Sequence, residues 1–173
     1  MRTVLIAAIT LDGKIALTPE HPVNWTSKED KRFFKDETER AGVVIFGSHT
    51  YIQLGKPLKN RLTVVMTRSP DLYKEREVTN ILEFKNAAPR AILKELNARG
   101  FECAVIGGGS EIYSLFLREQ IIDELYLTIT PKIFGKGVSI FGNHKLNAPP
   151  LKLTEVKRLG NNEVLVKYKM ERR

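Results

Sequence analysis

Cysteine is almost absent. Cys103 is the only one in 173 residues, so no internal disulfide can form, and a reducing, cytoplasmic setting is expected. It sits in an apolar run, where a small buried hydrophobe is its ordinary role. Histidines number three, and no Cys/His/Asp set has metal-ligand spacing, so no metal is expected. No apolar run approaches the ~20 residues of a membrane-spanning helix, and no membrane partner is expected. No nucleophile and base stand at a recognisable spacing, which argues against a covalent intermediate. Repeats, low-complexity tracts and linkers are lacking too. The length suits one compact domain, expected over residues 1–173.

Acids are outnumbered, 20 against 28 Lys and Arg, leaving a net charge of +8. Such a balance suits a polyanion or a site for small anionic ligands. The basic residues are scattered, densest at Lys167, Lys169, Arg172 and Arg173, and are not interleaved with aromatics as single-strand binding requires. A small ligand is therefore preferred to nucleic acid. Monomer and homodimer fit the pattern equally.

With 42% hydrophobic residues the chain has material for a core. Residues 3–9 (TVLIAAI), 42–47 (GVVIFG), 61–67 (RLTVVMT) and 101–106 (FECAVI) read as strands, mostly buried on both faces. A further strand is expected near 80–84, and an alternating one over 122–131. Residues 151–158 and 164–170 read as an antiparallel hairpin around Leu159-Gly-Asn-Asn162. Helices are expected within 25–38, from 47–50 to about Leu54, over 87–99 and over 110–117, with Gly100 ending the third. Residues 10–16 read as a turn leading into a long loop up to Trp25. The fold class is α/β: three layers, a central mostly parallel mixed sheet with a C-terminal antiparallel hairpin, and about four flanking helices.

The stretch 25–38 (WTSKEDKRFFKDET) carries the most chemistry. Ser27 is a good N-cap, and Asp30 stands three residues on. Asp30 heads a stripe with Phe33, Phe34 and Thr38, while Lys28, Arg32 and Asp36 form an ordinary solvated face. Two readings of Asp30 stand side by side: an acid favoured by the helix dipole, or a buried acid that holds and protonates a substrate. Two strand–glycine–helix junctions follow, Gly47-Ser48-His49-Thr50 and Gly107-Gly108-Gly109-Ser110. Glycine lets backbone approach a phosphate, and free N–H groups at a helix start attract anions. The second junction lacks the dinucleotide fingerprint, because Ile112 stands where its last glycine belongs. Thr67-Arg68 after the third strand could meet a 2′-phosphate.

Taken together, these fragments resemble dihydrofolate reductase along most of the chain. The resemblance rests on LIAAI at the start, Trp25 followed by Asp30, Phe34-Lys35 and Thr38, then Gly47-x-His49-Thr50. It continues through Gly55-Lys-Pro-Leu58, Asn60–Arg68, Gly107-Gly-Gly109-x-x-Ile112-Tyr113 and Leu125-Tyr-Leu-Thr128. It implies NADPH as cofactor and reduction of dihydrofolate by hydride transfer. Asp30 would accept hydrogen bonds from the pterin and assist its protonation, with Trp25 and Thr128 holding it and a water. Ile6, Ala8, Phe34, Leu54 and Ile106 would border the substrate, and Arg61 would hold a carboxylate bidentately. Ala8, Ile15, Gly47, Ser48, His49, Thr50, Thr67, Arg68, Gly107, Gly108, Gly109, Ser110, Glu111 and Ile112 would surround NADPH.

Departures from that family are Ser48 in place of a basic residue, Lys31 in place of an apolar one, and a longer loop before Trp25. The family's cis glycine pair could be Gly107-Gly108 or Gly108-Gly109. A rival lies within the superfamily. Thr10-Leu-Asp-Gly-Lys-Ile-Ala16 and Pro131-Lys-Ile-Phe-Gly135 look like the riboflavin-pathway reductases of a ribosylaminopyrimidine phosphate. The presence of Asp30 and Arg61 favours folate. A non-catalytic basic binding protein on this fold is the alternative outside enzymology.

Overall fold

The apolar run at the N-terminus becomes the middle of the sheet. In the computed structural model, which describes residues 1–22 and 25–171, it forms β1 (Arg2–Thr10), hydrogen-bonded to a strand on each side. Val23 and Asn24 of the loop before Trp25, and Arg172 and Arg173 of the basic run, lie outside the described residues. Next come β2 (Lys14–Ala16), α1 (Lys28–Ala41), β3 (Val43–Gly47), α2 (Ser48–Leu54) and β4 (Leu62–Met66). A 3-10 helix (Pro70–Arg76) leads to β5 (Leu82–Lys85), α3 (Pro89–Ala98), β6 (Cys103–Gly108) and α4 (Ser110–Arg118). The chain finishes with β7 (Glu124–Thr130), β8 (Val138–Ser139), β9 (Leu151–Leu159) and β10 (Glu163–Met170).

Eight strands form one sheet in the order β5-β4-β3-β6-β1-β7-β10-β9. All pairs from β5 through β7 are parallel, while β10 runs antiparallel to β7 and to β9. This is the predicted mixed sheet with its antiparallel hairpin. Helices cover both faces, as parallel strands require. Ile92 and Leu96 of α3 and Ile112, Tyr113 and Phe116 of α4 pack on Leu5, Ile45 and Ile106. On the other face Phe33, Phe34 and Ala41 of α1 pack on Ile6, Phe46, Val105 and Leu165.

The boundaries have local causes. Ser27 caps α1, its Oγ accepting from the Asp30 N–H at 3.0 Å, and the same hydroxyl donates to the buried carboxylate of Glu163 on β10. The solvated side of α1 holds the Arg32–Asp36 pair at 3.9 Å. Helix α3 starts at Pro89, later than its periodicity suggests, because proline suits the first helical position and Ala88 is extended. The 10–16 turn differs more: its second half is strand β2, which pairs with β8 some 120 residues on, a partner that no local signal reveals. The strand near 80–84 is shifted to β5, since Asn80 takes a φ of 60° in a turn.

Helix α1 stops at Gly42, whose φ of 75° lets its N–H reach the Thr38 and Glu39 carbonyls. A side chain there meets left-handed strain and the Phe101 ring at 3.5 Å. Gly42→Ala is expected to cost about 1 kcal/mol of stability, seen as a lower urea midpoint at unchanged slope.

Candidate active site

The carboxyl ends of β1, β3, β4 and β6 reach one level, and the chain leaves them through short turns into helices or loops. Ligands of open α/β sheets bind above such ends. Here they open into a cleft of 1690 Å³. Ordinary small-molecule pockets hold roughly 300–1,000 Å³, so this cleft has room for two ligands side by side.

One half of the cleft is apolar around a single acid. Asp30 lies in the first turn of α1 at 8% exposure, with Trp25, Phe34, Ile6, Ala8, Ile15 and Leu54 also on the walls. Tyr113 closes the floor. Its hydroxyl donates to the Ile6 carbonyl at 2.8 Å, and burial, aided by the nearby Asp30 charge, raises its pKa well above that of an ordinary phenol. It therefore remains a proton donor to the backbone rather than an acid in exchange with ligand.

Trp25 is tied to the loops rather than to Asp30. Its indole N–H donates to the Ile15 carbonyl at 3.0 Å, and its ring lies 5.2 Å from that of Phe134. Lys132 Nζ donates to the Trp25 carbonyl at 2.7 Å and sits over the indole. Thr128 is fully buried on β7 between Ala8 and Leu165, and its hydroxyl has no partner among the described residues. It does not line the cleft, and neither do Ile106, packed beneath the floor, and Gly108.

Arg61 lines the cleft, yet its side chain is only 4% exposed. Its guanidinium donates to the Lys59 carbonyl at 2.8 Å, the Lys35 carbonyl at 3.0 Å, the Thr38 hydroxyl and Glu39 Oε1 at 3.2 Å. Burial lowers its pKa and Glu39 opposes that shift. Of five guanidinium N–H groups, four are engaged, so a two-pronged grip on a ligand carboxylate requires Glu39 to give way.

The other half is built from glycines and helix starts. Gly47, Ser48, His49, Thr50, Thr67, Arg68, Gly107, Gly109, Ser110, Glu111 and Ile112 all line it. The Gly108–Gly109 peptide is the cis one. A Cβ on Gly47 would sit 2.9 Å from Ile112, and one on Gly107 would sit 2.4 Å from the Phe46 ring. The Ser110 hydroxyl at the start of α4 is buried without a partner among the described residues. A cradle of bare backbone, an orphan hydroxyl and a helix N-terminus together fit a phosphate-bearing cofactor.

Sequence reasoning missed several groups on these walls. His21 packs on Phe134 at 5.5 Å, and His144 reaches Glu111 at 3.1 Å. Both come from loops with no local motif. Lys35, Lys56, Lys59, Lys85 and Arg118 bring the lining, among the described residues, to eight Lys and Arg against Asp30 and Glu111. The chain's excess of base thus converges on the cleft. Among the described residues no helix is long and apolar enough to cross a membrane, and no group of three His, Cys, Asp or Glu could hold a metal ion.

The stretches 10–16 and 131–135 meet beside Trp25. Asp12 accepts from Thr10 Oγ1 at 2.6 Å, from the Phe134 N–H at 3.1 Å and from the Gly135 N–H at 2.8 Å. These bonds, the Thr10 hydroxyl foremost, lower its pKa from the usual 3.8.

Comparison with known proteins gives the family and the fold. The RibD C-terminal domain family matches residues 3–165, and the chain belongs to it. The fold is that of the dihydrofolate reductase superfamily. The chain is 31% identical over 168 residues to the uncharacterized protein YwjB of Bacillus subtilis, covering 92% of each. It superposes with a TM-score of 0.80 and 22% identity on a Thermotoga maritima diaminohydroxyphosphoribosylaminopyrimidine deaminase/5-amino-6-(5-phosphoribosylamino)uracil reductase, covering 98% of this chain and 56% of that one. Dihydrofolate reductase from Enterococcus faecalis, complexed with NADP(H), superposes at 0.67 and 22% identity, covering 99% and 97%.

Asp12 supplies a pH test. A carboxylate whose pKa is lowered by folding stabilises the fold above its unfolded value of 3.8, and that stabilisation is lost as pH falls below it. Asp12→Asn is expected to lower the melting temperature at neutral pH, and the gap from wild type should close below that value.

Proposed function

We propose that the protein is an NADPH-dependent reductase of a small nitrogen heterocycle, and that dihydrofolate is its substrate. The observation that carries the substrate is Asp30, a single carboxylate at 8% exposure on the wall of a largely apolar half-cleft. A carboxylate so placed accepts two parallel hydrogen bonds from an N–H and an exocyclic amine on one edge of a ring, as a pterin offers. It orients the ring and favours its protonated form, in line with general acid assistance. Ile6, Ala8, Phe34 and Leu54 exclude water and fix the ring plane. Arg61 meets a carboxylate on the substrate tail once Glu39 yields. Thr128, and Ile106 below the floor, support that pocket from behind.

Gly47 to Thr50, Thr67, Arg68, Gly107 and Gly109 to Ile112 hold the NADPH phosphates, with Gly108 shaping the turn from behind, and Ala8 and Ile15 border the nicotinamide. NADPH supplies the hydride when bound. With Ser48 uncharged, His49 and Arg68 are the groups that favour a 2′-phosphate.

A second substrate, a ribosylaminopyrimidine phosphate, draws support from two observations. Asp12 locks together the stretches that look like the riboflavin-pathway reductases. Lys31, on the cleft wall, suits a phosphate better than an apolar tail.

The test follows NADPH absorbance with each substrate, for wild type and Asp30→Asn. Turnover of dihydrofolate is expected, with a loss of roughly 10²–10⁴-fold in the mutant, least at low pH where solvent supplies the proton. NADPH binding with inert dihydrofolate and active pyrimidine would transfer the assignment to the second substrate. No NADPH binding would remove the reductase reading. Arg61→Ala should raise KM for dihydrofolate by tenfold or more, about 1.4 kcal/mol, with kcat little changed.

A further inference from the structure

Glu163 is a buried acid that the chemistry above does not use. It opens β10, is 6% exposed, and receives the hydroxyl proton of Ser27 on Oε2. A buried carboxylate is costly unless hydrogen-bonded, so the contact has a physical reason to persist. The same Ser27 oxygen accepts the N–H of Asp30 at 3.0 Å. A hydroxyl that gives its proton to a carboxylate is the better acceptor, and the first turn of α1 presents the positive end of its dipole to the acid. The contact is reinforced next door: the hairpin turn abuts α1 so closely that a Cβ on Gly160 would lie 3.0 Å from Glu29 Cγ.

We propose that Glu163 is a positioning residue of the active site: acting through Ser27, it sets where Asp30 stands over the substrate ring. The proposal rests on the reading of Asp30 given above. The ring floor, Ile6 and Ala8, belongs to β1, which pairs with β7, which pairs with β10. Arg61, just before β4, ties the C-terminal half of α1 by hydrogen bonds to Lys35, Thr38 and Glu39, whereas the Glu163–Ser27–Asp30 chain ties its first turn to β10. Hydride transfer is sensitive to displacements of about an ångström, so slack at this tie shows in kcat before it shows in cofactor binding.

The test compares Glu163→Leu, Glu163→Gln, Ser27→Ala, the Ser27→Ala/Glu163→Leu pair and Asp30→Asn. Dihydrofolate kinetics are measured together with the Kd for NADPH. Glu163→Leu is expected to lower kcat on the order of 10–100-fold with NADPH affinity unchanged. Glu163→Gln, which still accepts from Ser27, should keep most of the wild-type kcat, and the double variant should be no worse than the more damaging single one. Backbone amide exchange at Asp30 should quicken in Glu163→Leu and not in Glu163→Gln. If Glu163→Leu does not fold, Ser27→Ala must reproduce the kcat loss. Wild-type kcat in both, with Asp30→Asn inactive, overturns the positioning role alone. So does an equal loss in NADPH affinity. Wild-type turnover in Asp30→Asn overturns the reading of Asp30, and the proposal with it.

Discussion

The cleft depends on one constraint: β1 is buried on both faces and hydrogen-bonded on both edges. Its neighbours β6 and β7 run parallel to it, so none of the three can return directly by a hairpin, and each crossover must cover a face. Because α1 follows β1 on one face and α4 follows β6 on the other, two helix N-termini converge where the strands end. One carries a carboxylate, Asp30, in its first turn. The other carries glycines and a buried hydroxyl, Ser110, with no partner among the described residues. Their separation across the sheet gives the cleft its two halves, one suited to a ring and one to phosphates.

Charge then divides the labour. Among the described residues eight Lys and Arg line the cleft, while Asp30 sits beside apolar side chains. A field of that sign draws anionic ligands from solution and concentrates them at the mouth. Among those eight, Arg61 is held by Glu39 and three other acceptors. An anion reaching Arg61 therefore competes with an internal ion pair, whereas Asp30 stands on a helix turn already tied down by Ser27. The loops beside Trp25 are similarly pre-set, with Asp12 holding two backbone N–H groups of the facing segment.

Much of this was legible beforehand. Buried parallel strands announce themselves as unbroken apolar runs, and Ser27, Gly42 and the glycine junctions mark boundaries by local chemistry. The resemblance carried by Trp25, Asp30, Gly47, Arg68 and Gly107 named residues that line the two halves of one cleft. What local patterns did not carry were contacts between residues far apart in the chain. Strand β2 exists because β8 pairs with it. Ile106 and Thr128 belong to strands at the cleft but lie below its surface, a matter of which face of the sheet each side chain takes and how deep it sits. His21 and His144 arrive on loops whose course is set by their ends.

The sequence by itself determined the class: an α/β sheet with covered faces, glycine-lined helix starts and one acid at the head of an aromatic helix face. These follow from periodicity, capping and glycine stereochemistry, which act over a few residues. Tertiary structure alone decided the electrostatics. Scattered Lys and Arg became one cationic lining, Arg61 acquired Glu39, and Glu163 reached Ser27 across 136 residues of chain. Coulomb and hydrogen-bond energies depend on distance in space, and only the fold converts chain position into distance.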